Sequence, residues 1–373
     1  MIPQLLSLFR GYRFTQCSIS DTGNNLKIEE NIIQFRKGIY FFQFVVLGWL
    51  VFKAYNYHIL LNRPHELFEP IHYFARIFMP SFPFPILFYG ILLLGIAATM
   101  YRLAFNENIL IRIIQVIIVT WVNVFQWSFG SDSAVSYILI YVLIFSLFMP
   151  NSMPEVERQN ERKNIIKMIE YYFLAIFITY TFSGLWKVIG LGYKLIFKPY
   201  DVNWLSPNGA LYNALISHRN YDFPIAPILK YYQYPIFWQV GFLIVLFIQL
   251  FCWIAAYRLQ VRIWVGLSLI IFHVVNAVFF KTVFITAPMV LFVICFPYHL
   301  FVMPKINYCS ALTLSPIGEL LYTKTYQNGD VDCYKGFAAF REIRYDRHPV
   351  WGSLWYVPGA WVIYKILPVQ KLI

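Results

Sequence analysis

An ionisable side chain inside a long apolar run is costly in hydrocarbon and is a functional candidate by default; two residues stand out here on that ground. Lys187 lies in the run YTFSGLWKVIGLG, and His273 lies in SLIIFHVVNAVFF. Ser183 and Gly184 precede Lys187 and are small enough to let another helix come close. A lysine packed in that way is hard to hydrate, which makes its amine a candidate general base. The plainer alternative is a snorkelling lysine, its stem along apolar surface and its amine at the interface. Asn276 follows His273 at i+3, so both project from one helical face. Neutral imidazole carries one donor and one acceptor, and an amide beside it can fix which nitrogen holds the proton. The pair would then handle a proton or orient a ligand; the alternative is polar glue between helices. No second His or carboxylate stands at i+3 or i+4 from His273, so metal binding is not indicated.

The elements that must hold these residues are membrane helices. Charged residues make up 13% of the 373 and hydrophobic ones 59%, against about 25% charged in an ordinary soluble domain. The net charge of +12 fits Lys- and Arg-rich loops held against anionic lipid better than it fits nucleic acid. The expected partner is therefore the bilayer. Five scattered cysteines (Cys17, Cys252, Cys295, Cys309, Cys333) form no C-x-x-C pair, and neither a disulfide framework nor a zinc site is indicated. Motifs for phosphate loops, serine elbows and zinc proteases are absent.

About 20 apolar residues cross the hydrocarbon as a helix. Eight runs qualify as candidates: 38–55, 83–101, 109–128, 134–149, 165–187, 235–257, 262–279 and 283–299. The fourth and eighth are short, and Pro288 interrupts the eighth. The expected fold class is an all-α integral membrane bundle of about eight transmembrane helices with a small C-terminal tail region. Most of the 30 Lys and Arg fall on one side of that arrangement, and the loop at 129–133 has none. That asymmetry puts both termini in the cytoplasm. The domains follow as a polar cytoplasmic segment at 1–37, a transmembrane domain at 38–300 and a cytoplasmic tail at 301–373. The polar start makes the first apolar run an anchor and not a leader. An aromatic loop at 188–234 would lie outside, and long ordered loops usually cover a site or bind something. On this topology Lys187 and His273 both fall in the outer half of the membrane.

At these residues a family resemblance enters. YTFSGLWKV at 180–188 resembles the Y-x-x-[AS]-G-x-x-K-[LV] stretch of the HTTM family, the transmembrane domain shared with vitamin K-dependent gamma-carboxylase. WLSPNGALYNAL resembles the W-x-x-G-x-[AS]-[LM] that follows it, with two extra residues between Trp204 and Gly209. FHVVNAVFFKTVFITAPMVL at 272–291 is similar to the family's F-H-x-x-N-x-x-F element. The resemblance spans roughly 35–300 and is closest to short bacterial members, which implies a multi-pass protein of a bacterial inner membrane. It implies that Lys187 and His273 are catalytic, with Lys187 the base that deprotonates a quinone or vitamin K-like hydroquinone. Asn276, Trp204, Gly184 and Gly209 would then line the substrate side. Gamma-carboxylation itself is not implied, because Trp186 replaces a second lysine and the carboxylase's large lumenal region is missing. YQNGDVDCYKGFAAFREIRYD in the tail is similar to a DCC-type thiol–disulfide oxidoreductase with only Cys333 left, a degenerate remnant. The alternative for the tail is an aromatic interfacial segment.

The leading expectation is a membrane enzyme acting on a hydrophobic, quinone-like or peptide substrate. A non-catalytic partner in peptide or toxin maturation and export is the second. A transporter ranks last, for want of paired broken helices and inverted repeats.

Overall fold

The computed structural model describes residues 21–70, 73–105, 108–129, 137–149, 159–221, 231–282, 284–302, 308–314, 320–326, 331–347, 353–356 and 360–366. It is mostly helical. The helices are α1 (Asp21–Leu60), α2 (Tyr73–Phe78), α3 (Pro85–Ala104), α4 (Ile109–Trp127), α5 (Tyr137–Ser146), α6 (Gln159–Phe197) and α7 (Gly209–Tyr221). They continue as α8 (Pro235–Phe251), α9 (Ile254–Tyr257), α10 (Leu259–Phe279), α11 (Thr286–Cys295), α12 (His299–Val302), α13 (Gly336–Arg347) and α14 (Ala360–Ile366). Where no water can pair with a backbone amide, an apolar run must satisfy its own hydrogen bonds, and the helix does so within one segment.

The described part of each of the eight apolar runs is largely helical, the sixth divided between α8 and α9. Among the described residues five helices are long and apolar enough to cross a membrane: Glu30–Leu60, Pro85–Ala104, Ile109–Trp127, Asn164–Phe197 and Leu259–Phe279. Tyr137–Ser146, Pro235–Phe251 and Thr286–Cys295 are apolar but shorter. In the most apolar window of the α6 span only 22% of residues are buried within the protein. Its exposed surface carries Tyr171, Phe182, Leu185, Trp186 and Ile189. A soluble protein does not leave such a helix in water; this is a membrane protein.

The chain divides into two compact units. The larger, Phe35–Tyr257 with Val265–Phe296, is the apolar bundle. Local chemistry sets its helix ends. Pro85 and Pro235 open α3 and α8, where a missing N–H costs nothing, and the Asn108 side chain accepts from Leu110 N at 2.9 Å to cap α4. The end of α5 is closed from another helix: Arg112, fully buried on α4, donates to Ser146 O at 2.7 Å and Met149 O at 2.6 Å. A cation there suits the negative end of a helix and its orphan carbonyls. Arg102 belongs to the same interior, donating to Gln115 Oε1 at 2.5 Å. The Gln115 amide in turn donates to Gln43 Oε1 at 2.8 Å and Thr99 Oγ1 at 2.9 Å. Two arginines near the facing ends of α3 and α4 are thus built into the bundle.

The smaller unit gathers Met1–Gln34, Arg258–Trp264 and Pro297–Ile373. Here the tail folds as an antiparallel meander, β1 (Tyr308–Leu314), β2 (Leu320–Tyr326) and β3 (Val331–Lys335), followed directly by α13. Leu320, Tyr322 and Tyr334 from the sheet pack with Ala339, Phe340 and Ile343 from the helix. Beneath them a buried Lys324–Glu342 pair at 3.4 Å and a Tyr356 hydroxyl donating to Glu342 hold the helix to the sheet. Burial, with the Glu342 charge adding to it, holds the Tyr356 phenol well above its ordinary range.

Three expectations change. The fifth span runs on to Phe197, so Lys187 stands ten residues inside its helix and not at its end. The stretch expected as a loop at 188–234 contains that last part of α6 and the whole of α7. The tail region carries elements that the sequence reading did not place: a three-stranded sheet, with Cys333 on β3. Most of the loop expected at 129–133 and the first 20 residues lie outside the described residues.

His299 on α12 is buried, its Nδ1 3.3 Å from Gln34 Oε1 and its Nε2 3.3 Å from the Tyr345 hydroxyl. Burial first, and the Arg262 charge second, push it down to about 4. An imidazole whose folded value lies below its unfolded one of about 6.5 loses stability as pH falls between those two values, because the unfolded chain takes up the proton there. The full effect is on the order of 3 kcal/mol. Hydrogen exchange of the α13 amides between pH 7 and pH 4.5 should show this unit opening more readily at low pH, and His299→Gln should flatten that trend. An identical pH dependence in the variant would exclude His299 as its source.

Candidate functional site

Tyr180, Gly184 and Lys187 lie at i, i+4 and i+7 on α6, which places them on one helical face. That face meets α8 and α10. Gly184 is the point of closest approach: a methyl group there would stand 2.9 Å from the Gln249 Cβ and 3.1 Å from the Leu250 nitrogen. Without a side chain at 184, α8 comes in far enough for its own side chains to reach the α6 polar groups. The Lys187 amine donates to Gln249 Oε1 at 2.8 Å and to Ser183 Oγ, one turn back on α6, at 3.0 Å. It also lies 5.6 Å from the centre of the Phe272 ring on α10, within range of an attractive cation–π contact. No carboxylate among the described residues pairs with it. Glu170, on the same helix, is 17 residues or about 25 Å away along the axis.

Two turns back along α6, the Tyr180 hydroxyl is 3.1 Å from His273 Nε2, and both side chains are buried. Phe272, Phe284 and Tyr180 ring the imidazole at 5.3, 5.2 and 5.9 Å. His273 Nδ1 is buried and has no hydrogen-bond partner. Tyr180 therefore holds the histidine at Nε2. The Asn276 carbonyl ends α10, accepting from Phe280 N at 3.0 Å and from Thr282 N at 3.2 Å. Between the two polar levels, the Cys252 thiol donates to Phe177 O at 3.1 Å, with Thr181 Oγ1 at 3.4 Å. The arrangement can hold an acidic or hydroxyl-bearing group against an amine and present an unpartnered imidazole nitrogen to it.

The remaining expected residues serve a different construction. Asn203 folds the segment before α7 by accepting from Leu205 N at 2.8 Å through its side chain and from Ser206 N at 3.0 Å through its carbonyl. Gly209 then passes so close to the Asn203 carbonyl that any Cβ would collide with it. This tight turn delivers Trp204 onto Phe242, rings parallel at 5.5 Å, and edge-on to Phe280. Ala210, Ala214, Tyr232 and Trp238 complete the cluster. Trp204 and Gly209 are thus packing and turn residues, and Gly184 is filled by α8. Gln249, which touches Lys187, was visible only as a polar residue inside the run LIVLFIQLFCW, and Tyr180, which touches His273, only as the first residue of the YTFSGLWKV stretch, with no role assigned to it.

No family model, curated protein or solved structure matches the chain.

Gly184→Ala tests the packing directly. Two of the three nearest atoms are α8 backbone, so the helices must separate, at a cost of about 1–3 kcal/mol. A lower melting temperature in detergent is expected, together with weaker protection of Lys187 from amine-modifying reagents. A melting temperature at or above that of the unmodified chain would mean that α6 and α8 are not held at this contact.

Proposed function

We propose that this chain is an HTTM-type enzyme of a bacterial inner membrane, in which Lys187 removes a proton from the hydroxyl of a hydrophobic, quinol-like substrate. The observation that carries the reading is an amine in a membrane-spanning helix held by two neutral acceptors and no carboxylate. A neutral amine has two N–H bonds and one lone pair. Ser183 Oγ and Gln249 Oε1 accept the two N–H bonds, and the lone pair is left to accept a proton. A carboxylate partner would instead hold the ammonium form and close that route. The substrate oxygen would lose its proton to Lys187 Nζ and keep the electron pair. The ammonium formed would stay beside the new oxyanion and stabilise it. His273, fixed by Tyr180 through Nε2, offers Nδ1 to a second polar group of the ligand; a buried polar atom without a partner costs about 1–3 kcal/mol, which a ligand would recover.

The unit that gathers Met1–Gln34, Arg258–Trp264 and Pro297–Ile373 supports the expected topology. Those segments share one side only if the chain crosses an even number of times between each pair. Five spans alone leave the single crossing of α10 between Trp264 and Pro297; the short helix α11 supplies the second, and α5 with α8 keeps the number between Gln34 and Arg258 even. Eight crossings with both termini on the Lys- and Arg-rich side satisfy this and the charge asymmetry together.

The test is anaerobic absorbance of a reduced naphthoquinol added to the protein in nanodiscs near neutral pH. Bound quinol should show the band of its oxyanion with the unmodified chain, and Lys187→Met should reduce that band by at least about tenfold while quinol binding persists. Gln249→Leu should weaken it less. An equally strong oxyanion band in Lys187→Met, or none in the unmodified chain despite binding, would sink the base assignment.

A further inference from the structure

A second lysine is buried in the bundle, on other helices and with its own cavity. Lys53 on α1 is 7% exposed. Its amine donates to Gln126 Oε1 and lies 5.1 Å from the centre of the Trp49 ring. It lines a cavity of about 270 Å³ together with Asn56, Tyr57, Arg63, Phe125 and Gln126. Among the described residues, two cations and no carboxylate line this space. The aromatic wall is fixed: the Tyr57 ring stacks on Phe88 at 3.8 Å, and its hydroxyl is used by Pro83 O at 2.9 Å. The phenol therefore contributes a flat apolar face and no free donor. The polar lining is Lys53, Arg63 and the amides of Asn56 and Gln126, all suited to an anion. Ile59, exposed, and Leu60, half-buried, lie beside this polar end.

We propose that this cavity binds the phosphate group of an anionic amphiphile. A buried cation beside only a neutral amide lacks the counter-charge that would stabilise it most, and a second cation nearby makes an anion the complementary occupant. The volume is smaller than a typical drug-sized pocket of roughly 300–1,000 Å³. It fits a phosphate-bearing headgroup and excludes the acyl chains, which leave past Ile59 and Leu60. The inference uses none of the residues of the Lys187 site and stands apart from its chemistry.

The experiment is native mass spectrometry of the full chain, delipidated in neutral detergent and titrated separately with phosphatidylglycerol, phosphatidylcholine and inorganic phosphate. Phosphatidylglycerol should bind at least about tenfold more tightly than phosphatidylcholine, the worth of one charge-assisted hydrogen bond. Lys53→Met with Arg63→Gln should erase the preference, and Lys53→Arg should keep it. Asn56→Trp, which fills the cavity from a half-buried position and leaves both charges, should also erase it; a melting curve confirms that each variant is folded. Competition by millimolar inorganic phosphate would assign the same site to soluble phosphate as well as to lipid. Equal binding of the two lipids, or a preference that survives in both the charge and the Asn56→Trp variants, would overturn the proposal.

Discussion

Water is absent from the interior of a membrane bundle, so every cation there must find its hydrogen-bond acceptors within the protein. This chain meets that demand in one repeated way. Lys53 is held by Gln126, Arg102 by Gln115 and Lys187 by Gln249. In each case the acceptor is the carbonyl oxygen of a glutamine on a different helix. A glutamine satisfies the donor without cancelling the charge, so the positive potential of the cation survives into its surroundings. A carboxylate would have given tighter pairs and a closed interior. The choice of amide keeps these positions electrically open.

What distinguishes the three is what else surrounds them. Arg102 sits in a completed network, with Gln115 passing its amide protons on to Gln43 and Thr99, and it joins α1, α3 and α4 into one block. With Arg112 closing the end of α5, it does structural work. Lys53 faces a cavity, and Lys187 remains partly accessible beside an imidazole nitrogen with no partner of its own. Those two are the positions where the amine has neutral acceptors and no carboxylate partner among the described residues. The same amine-to-amide interaction closes a network at Arg102 and leaves the proposed sites open at the two lysines.

The helices were legible because hydropathy acts over 20 residues at a time, and each apolar run produced one. Lys187 and His273 were legible because a charge or an imidazole interrupts such a run. Their partners were not. Gln249 is unremarkable in sequence and Tyr180 entered only as a motif letter; what makes them part of the site is the approach of α8 and α10 to α6, which depends on Gly184. Lys53 drew no attention because it stands two residues before the end of the run at 38–55; its burial beside Trp49 and Gln126 is what singles it out. The tail's sheet had a local signal, the alternation of Leu320, Tyr322 and Lys324 on one face of β2, but the aromatic content of the segment masked it.

Helix length places the two open cations at comparable depths. α1 and α6 have 40 and 39 residues, about 60 Å each at 1.5 Å per residue, twice the roughly 30 Å of hydrocarbon. Lys53 lies seven residues before the end of α1 and Lys187 ten before the end of α6, about 10 and 15 Å along the axis. In the eight-span order both helices run in the same direction, so both amines come near the same boundary of the membrane, where an amphiphile's polar group resides. A hydrophobic molecule with one acidic or hydroxyl group would already be oriented by the bilayer before it met either lysine. The protein then has to supply only the last few ångströms of positioning, which is what a fixed amide, a stacked aromatic wall and a glycine-mediated helix contact provide.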